Sequence, residues 1–356
     1  LIMISGPVLG GIADYTQRKK SFLMVFCYSG SLITTLFVLS GPGDVFFTLL
    51  LFCLAYYCFA GGNIFYDAYL PLLSRGKDMD RLSGQGYALG YMGGGLLLCL
   101  NLLFIRFSQE IGVCAGTATR LSLASAGIWW GVFGTISFSL FHEERARYSR
   151  QRSLLRAAFA GMKKAFVTTM MVARHREILI FLLAYMIYND GVHTVITMAS
   201  IYGKDELHLS TGTLLGTLLM VQFTAIGGSL LMSRVARSFG SKKTIMGILI
   251  LWFGVTIFAY GMKTCLEYWI LGLIVGLILG GTQALSRSFY GCLIPRDEAA
   301  QYFGYFSAFA KFSAIWGPIL FAIIRQVTGT SRLSILSLSS FFMIGFVLVS
   351  FVHEKE

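Results

Sequence analysis

Gly10-Gly11-Ile12-Ala13-Asp14-Tyr15-Thr16-Gln17-Arg18-Lys19-Lys20 links one apolar run to the next. Its pattern returns 223 residues later as Ser233-Arg234-Val235-Ala236-Arg237-Ser238-Phe239-Gly240-Ser241-Lys242-Lys243. In both stretches small residues and charges end on a Lys-Lys pair that opens an apolar segment. A second match lies at an offset of 224, where Asn63-Ile64-Phe65-Tyr66-Asp67 … Pro71 stands against Arg287-Ser288-Phe289-Tyr290-Gly291 … Pro295. Two matches at nearly one offset, both at the same end of apolar segments, indicate two parallel copies of one helical design.

Composition identifies the medium. The 356 residues are 56% apolar and only 13% charged, with 30 Phe, 17 Tyr and 5 Trp, and the mean hydropathy is +0.70. A soluble domain of this size needs about twice that share of charge to cover its surface. An ordinary cytosolic enzyme, a disordered chain and a disulfide scaffold are excluded, and an all-α integral membrane protein remains. Ten segments have the ~20 apolar residues that a bilayer crossing needs: 21–41, 45–74, 83–107, 120–141, 177–201, 209–233, 244–263, 267–293, 301–325 and 332–352. The run Leu1–Ala13 is too short to cross, so the expectation is a chain lacking its first helix and part of its second. The seven cysteines show neither C-x-x-C nor zinc spacing; Cys114 and Cys265 lie in or near short loops, with nothing to pair them.

Charge sets the orientation. Alternate loops, beginning at Arg18, and the C-terminal tail hold 21 of the 29 basic residues, and the opposite loops hold 6. By the positive-inside rule the 21 face the cytoplasm, which explains the net +12 without nucleic acid. The one long loop, 142–176, carries nine basic residues. Leu155, Ala158, Phe159, Met162, Phe166, Met170 and Ala173 recur there at helical spacing, as in a basic amphipathic helix lying on the inner leaflet. The expected domains are an N-terminal bundle 1–141, this central loop 142–176, and a C-terminal bundle with a short tail, 177–356. Parallel repeats around such a linker mark certain secondary transporters.

Gly10-Gly11-Ile12-Ala13-Asp14 followed by Arg18-Lys19 resembles the loop signature of the major facilitator superfamily, Gly-x-Leu-Ala-Asp-Arg-x-Gly-Arg-Lys, with Tyr15 and Gln17 in place of its Arg and second Gly. Gly84-Gln85-Gly86-Tyr87-Ala88-Leu89-Gly90-Tyr91-Met92-Gly93-Gly94-Gly95, Tyr188-Asn189-Asp190-Gly191-Val192-His193-Thr194 and Tyr302-Phe303-Gly304-Tyr305-Phe306-Ser307 are similar to its autophagy-related vacuolar effluxer branch. The resemblance implies the major facilitator fold: two pseudo-symmetric six-helix bundles, here without the first helix. It implies amino acids as substrate class. It further implies a cavity lined by the first, fourth, seventh and tenth helices, and a conformational latch at Asp14 and Arg18. The repeat places Arg237 opposite Asp14, which argues against a second, equivalent latch.

Charges inside a bilayer are costly and tend to face a cavity or a partner. Asp67 falls on the fourth helix, Asp190 and His193 on the seventh, and Arg287 on the tenth. Asp190 lies mid-span beside Gly191, and Asn189, His193 and Thr197 share one helical face. This group is the candidate proton path. Arg287, with Gln283 one turn before it and Asn63 and Tyr66 at the repeat-related site, presents a fork suited to a carboxylate. The bland alternatives are a hydrogen-bonded packing cluster at Asp190 and an Arg287–Asp67 ion pair between the halves. Lys311, on a lateral helix, reads as structural, and Lys19, Lys20, Lys242 and Lys243 as ordinary loop charge. Gly86-Gly90-Gly94 and Gly272-Gly276-Gly280 read as helix-packing faces. No nucleotide loop, metal cluster or catalytic motif stands in the sequence, so neither cofactor nor enzymatic activity is expected. The expected protein is a monomeric secondary transporter in a bacterial inner membrane, its partners a small polar solute, protons and the bilayer. The rival readings are an exporter of hydrophobic solutes and a non-transporting scaffold or receptor.

Overall fold

The computed structural model describes residues 2–140 and 175–353; the amphipathic stretch expected in the central loop and the end of the tail lie outside them. Every regular element among the described residues is helical. In chain order they are α1 (Ile2–Thr16), α2 (Lys19–Thr35, continued by a 3-10 turn Leu36–Leu39), α3 (Val45–Ala68), α4 (Leu70–Leu73), α5 (Lys77–Phe107), α6 (Ala115–Leu140), α7 (Arg176–Asp205), α8 (Thr211–Phe239), α9 (Ser241–Gly261), α10 (Cys265–Leu293), α11 (Ala299–Phe312, preceded by a 3-10 turn Arg296–Glu298), α12 (Trp316–Thr328), α13 (Ser331–Ser337) and α14 (Ser339–Ser350). In hydrocarbon each peptide group must find its hydrogen bond within the chain, which favours helices throughout. Among the described residues ten stretches are long and apolar enough to cross a membrane, and each overlays one of the ten expected segments. Phe46, Leu100, Ile250 and Val327 are among many large apolar side chains left exposed along them, as befits an outer surface that meets lipid.

Several boundaries differ from the expectation by a few residues, and two of the differences have a clear local cause. Helix α5 begins at Lys77 rather than at 83, because Asp78 and Asp80 suit the positive end of a helix. The apolar run after Arg296 is broken, α11 stopping at Phe312 and α12 starting at Trp316. Pro318 accounts for the break: in a continuous helix its ring would meet the Ala314 carbonyl, and it has no N–H to donate.

Among the described residues the chain forms two compact units whose limits do not follow the sequence halves. The first holds residues 2–69, 96–140 and 297–308. There α2 packs on α3 and α6, with Phe22, Phe26, Phe65 and Tyr57 in ring contact. The start of α11 belongs to this unit and lies on α1. The second holds residues 70–95, 175–296 and 309–353. Its largest contact is α8 on α10, and α7 and α9 pack on α14. Helix α8 can approach closely because α10 presents glycine there: a Cβ on Gly276 or Gly280 would overlap Thr224 Oγ1 or the Ala225 carbonyl. The other glycine series does not pack in this way. Gly90 has no atom within 4 Å of a Cβ position, and Gly94 meets only Gln222 Nε2 at 3.9 Å, because both face outward from α5.

Candidate functional site

Two polar clusters form inside the second unit. The first is on α7. Asp190 is 2% exposed, and its Oδ1 accepts the Gly317 N–H at 2.9 Å. The acid therefore caps α12, whose first turn has no side-chain cap of its own. Gly317 is required for the approach, since a Cβ would run into Thr194 Oγ1 and stand 2.8 Å from Asp190 Oδ1. The preceding residue, Asn189, donates from Nδ2 to Ser313 Oγ at 2.7 Å. Consecutive residues of α7 thus hold both sides of the α11–α12 break. His193 is half-buried, with Lys311 of α11 in its neighbourhood. The third member of the expected face, Thr197, is exposed and donates to the His193 carbonyl. Tyr188 OH shares a hydrogen bond of 2.7 Å with Ser286 Oγ of α10.

The second cluster joins α10 to the first turns of α5. Arg287, 4% exposed, donates from Nε to Ser83 Oγ at 3.0 Å and from Nη2 to the Ser83 carbonyl at 3.2 Å. Its guanidinium lies 4.6 Å from the Tyr87 ring centroid, a cation–π contact worth up to about 2 kcal/mol where water is excluded. Tyr91 OH donates to Gln283 Oε1 at 2.6 Å. Ser83, Tyr87 and Tyr91 follow one another at four-residue intervals and so form one stripe facing Arg287 and Gln283. Asp80, one turn earlier, is 2% exposed and accepts from Ser288 Oγ and, at 2.7 Å, from Ser241 Oγ.

The remaining expected residues lie in the first unit. Asn63 and Asp67 are half-buried on α3, and Tyr66 is exposed. Asp14 is buried at the end of α1 and accepts the Gln301 N–H at 2.8 Å, with Ala300 N–H at 3.4 Å. Its cation is Lys19, 2.9 Å away and 5% exposed, while Arg18 is exposed at the start of α2. Lys19 is therefore half of a buried ion pair and not ordinary loop charge. Gln17 stands where the superfamily signature has its second Gly, and its φ of 56° explains that preference. Its Nε2 donates to the Asp14 carbonyl at 2.8 Å, which partly offsets the strain.

Of the residues singled out in the sequence, Asn189, Asp190, Gln283 and Arg287 lie in these two clusters. Sequence reasoning missed Asp80, Ser83, Tyr87, Tyr91, Ser313, Gly317 and the pairing of Lys19. Asp80 sits among Asp78 and Arg81 and so reads as a solvated turn. The others are types whose role depends on what faces them.

The comparisons with known proteins agree with this architecture. The model of the family described as "Vacuole effluxer Atg22 like" matches residues 1–356. An uncharacterized MFS-type transporter, YxiO of Bacillus subtilis, is 34% identical over all of this chain and 82% of its own length. Autophagy-related protein 22 of Pichia angusta is 26% identical over 91% of this chain and 67% of its own. Among solved structures, the Escherichia coli fucose:proton symporter FucP has a TM-score of 0.68 at 12% identity, over 99% of this chain and 90% of that one. The proton:xylose symporter XylE has 0.69 at 14%, over 100% and 84%. Helices, signature loop and whole-length matches converge: the chain belongs to the Atg22-like vacuole effluxer family of major facilitator transporters.

Proposed function

We propose that this protein carries a small polar organic solute, amino acids first, by alternating access of its two sequence halves, with a proton taken up and released at Asp190. In this reading the halves are the bundles 1–141 and 177–356 on either side of the 142–176 loop. The ends carrying Arg18, Arg75, Lys242 and Arg296, and the C-terminus, face the cytoplasm of a bacterial inner membrane, and one chain suffices. The observation that carries it is Asp190 itself. An acid buried in mid-span is expensive, and this one holds a broken helix by a contact that its charge strengthens. Protonation weakens that contact, so proton binding is tied to the geometry of α11 and α12. His193 and Lys311 stand beside the path, and Arg287 with Gln283 supplies groups for a carboxylate-bearing solute; Asn63, Tyr66 and Asp67, at the repeat-related position in the first unit, are assigned to the pathway by the repeat alone. Asp14, with Lys19 as its cation and Arg18 at the loop surface, latches the halves in the outward-facing state. Two fold neighbours are named as proton symporters, which supports the coupling.

The full chain in proteoliposomes, given an imposed pH gradient and a panel of radiolabelled amino acids, tests the reading. PH-driven flux is expected for the parent and is lost in Asp190→Asn, while gradient-free exchange persists. Unchanged pH-driven flux in that variant overturns the proton role.

A hydrophobic solute is favoured by one feature, a largely apolar cavity in the second unit lined by Val195, Leu214, Val221, Tyr268, Val275 and Ile335 among others. Thermal stabilisation by lipophilic cations and none by amino acids would select it.

A further inference from the structure

The close contacts at the basic ends of the helices fall into two seams, one in each unit. In the first, α1 crosses the start of α11. A Cβ on Gly304 would lie 2.6 Å from the Gly6 carbonyl, and one on Gly10 would overlap Ala300. In the second, α8 crosses the start of α5, where a Cβ on Gly84 would overlap Ser233 Oγ and lie 2.9 Å from the Ser229 carbonyl. The 223-residue offset of the repeat carries Gly6 and Gly10 onto Ser229 and Ser233. The seams are therefore two copies of one crossing, each between a helix of the first half and a helix of the second.

Their charges are arranged differently. Asp14 closes the first seam from α1, one turn beyond Gly10, onto the backbone N–H groups that open α11. Its repeat-related position on α8 is Arg237, which is exposed. The buried acid of the second seam comes from the opposite helix: Asp80 of α5, one turn before Gly84. It reaches Ser241, the first residue of α9, and Ser288 of α10. Both acids thus belong to the first half of the sequence, and both sets of donors named here to the second. Burying a carboxylate costs several kcal/mol before its partners compensate, and Asp80 keeps these partners only while the seam is shut.

We propose that Asp80 is the pin of a second latch, built with its polarity reversed relative to Asp14, and that the seam at α5 opens when Asp80 leaves Ser241 and Ser288. The proposal rests on the alternating-access reading, in which the halves part at this end, but it requires no particular solute or coupling ion. Asp80 acts as a positioning residue, through the conformational equilibrium.

The molecule contains its own reporter. Cys292 of α10 is exposed but has its Sγ 3.9 Å from Sδ of Met79, the neighbour of Asp80, so the shut seam shields one side of a thiol that already reacts and departure of α5 uncovers that side. The experiment follows modification of Cys292 by a polar maleimide in the full chain, in inside-out membrane vesicles without solute, with mass spectrometry assigning the site. Asp80→Asn is expected to raise the rate above the parental background, by up to about fivefold, the factor by which loss of ~1 kcal/mol from the closed state raises the open population. Ser288→Ala should act in the same direction. The double variant should be no faster than Asp80→Asn alone, because both remove one contact. A melting temperature within a few degrees of the parent separates a shifted equilibrium from a damaged fold, and if Asp80→Asn does not fold, Ser288→Ala and Ser241→Ala carry the test. Parental Cys292 rates in well-folded Asp80→Asn, or in both serine variants, overturn the latch. Since no flux is measured, failure of the transport assay leaves this result untouched, and the converse also holds.

Discussion

At the residue scale, the Asp190–Gly317 contact shows how one missing side chain places a charge. The carboxylate reaches the N–H groups of α12 only because position 317 has no Cβ. Gly317→Ala should cost about 1–3 kcal/mol, as overpacking generally does, seen as a lowered unfolding midpoint in detergent. Adding Thr194→Ala removes the oxygen that the new methyl would strike and should recover part of the loss. An unchanged midpoint in Gly317→Ala would mean that the contact is loose. Asp190 was visible in the sequence because an acid in an apolar run has few explanations. Gly317 was not, since glycines are common in membrane helices and only a facing side chain distinguishes one from another.

At the element scale, the two glycine series look alike in sequence and differ in structure. Gly272, Gly276 and Gly280 let α8 lie against α10, whereas Gly90 and Gly94 face outward on α5. Spacing of four puts residues on one helix face, but it does not say what covers that face. Gly280→Ala should destabilise by about 1–3 kcal/mol through overpacking. Gly90→Ala should be neutral or stabilising by up to ~1 kcal/mol through helix propensity. Thermal unfolding of the two variants side by side decides the matter, and equal losses would show that the α5 face is covered in solution. The α11–α12 break is a parallel case. Pro318 signals it locally, but the capping by α7 comes from a residue distant in sequence.

At the scale of the whole molecule, the basic residues should orient the protein through their number alone. Cys114 and Cys265 are free and exposed at the ends opposite the basic loops. A membrane-impermeant maleimide added to intact cells should therefore modify these two and spare Cys292, whereas inside-out vesicles should give the reverse. Modification of Cys292 from outside would invert the topology. The ten spans and the family were legible in the order of residues, because a bilayer imposes length, apolarity and charge placement on each segment directly. The pairing of Asp14 with Lys19, the seat of Arg287 on Ser83 and Tyr87, and the burial of Asp80 emerge only once the helices are packed. The physical reason is that hydrocarbon constrains each helix on its own, while the partner of a buried polar group is set by another helix, many residues away, whose facing side chain no local pattern records.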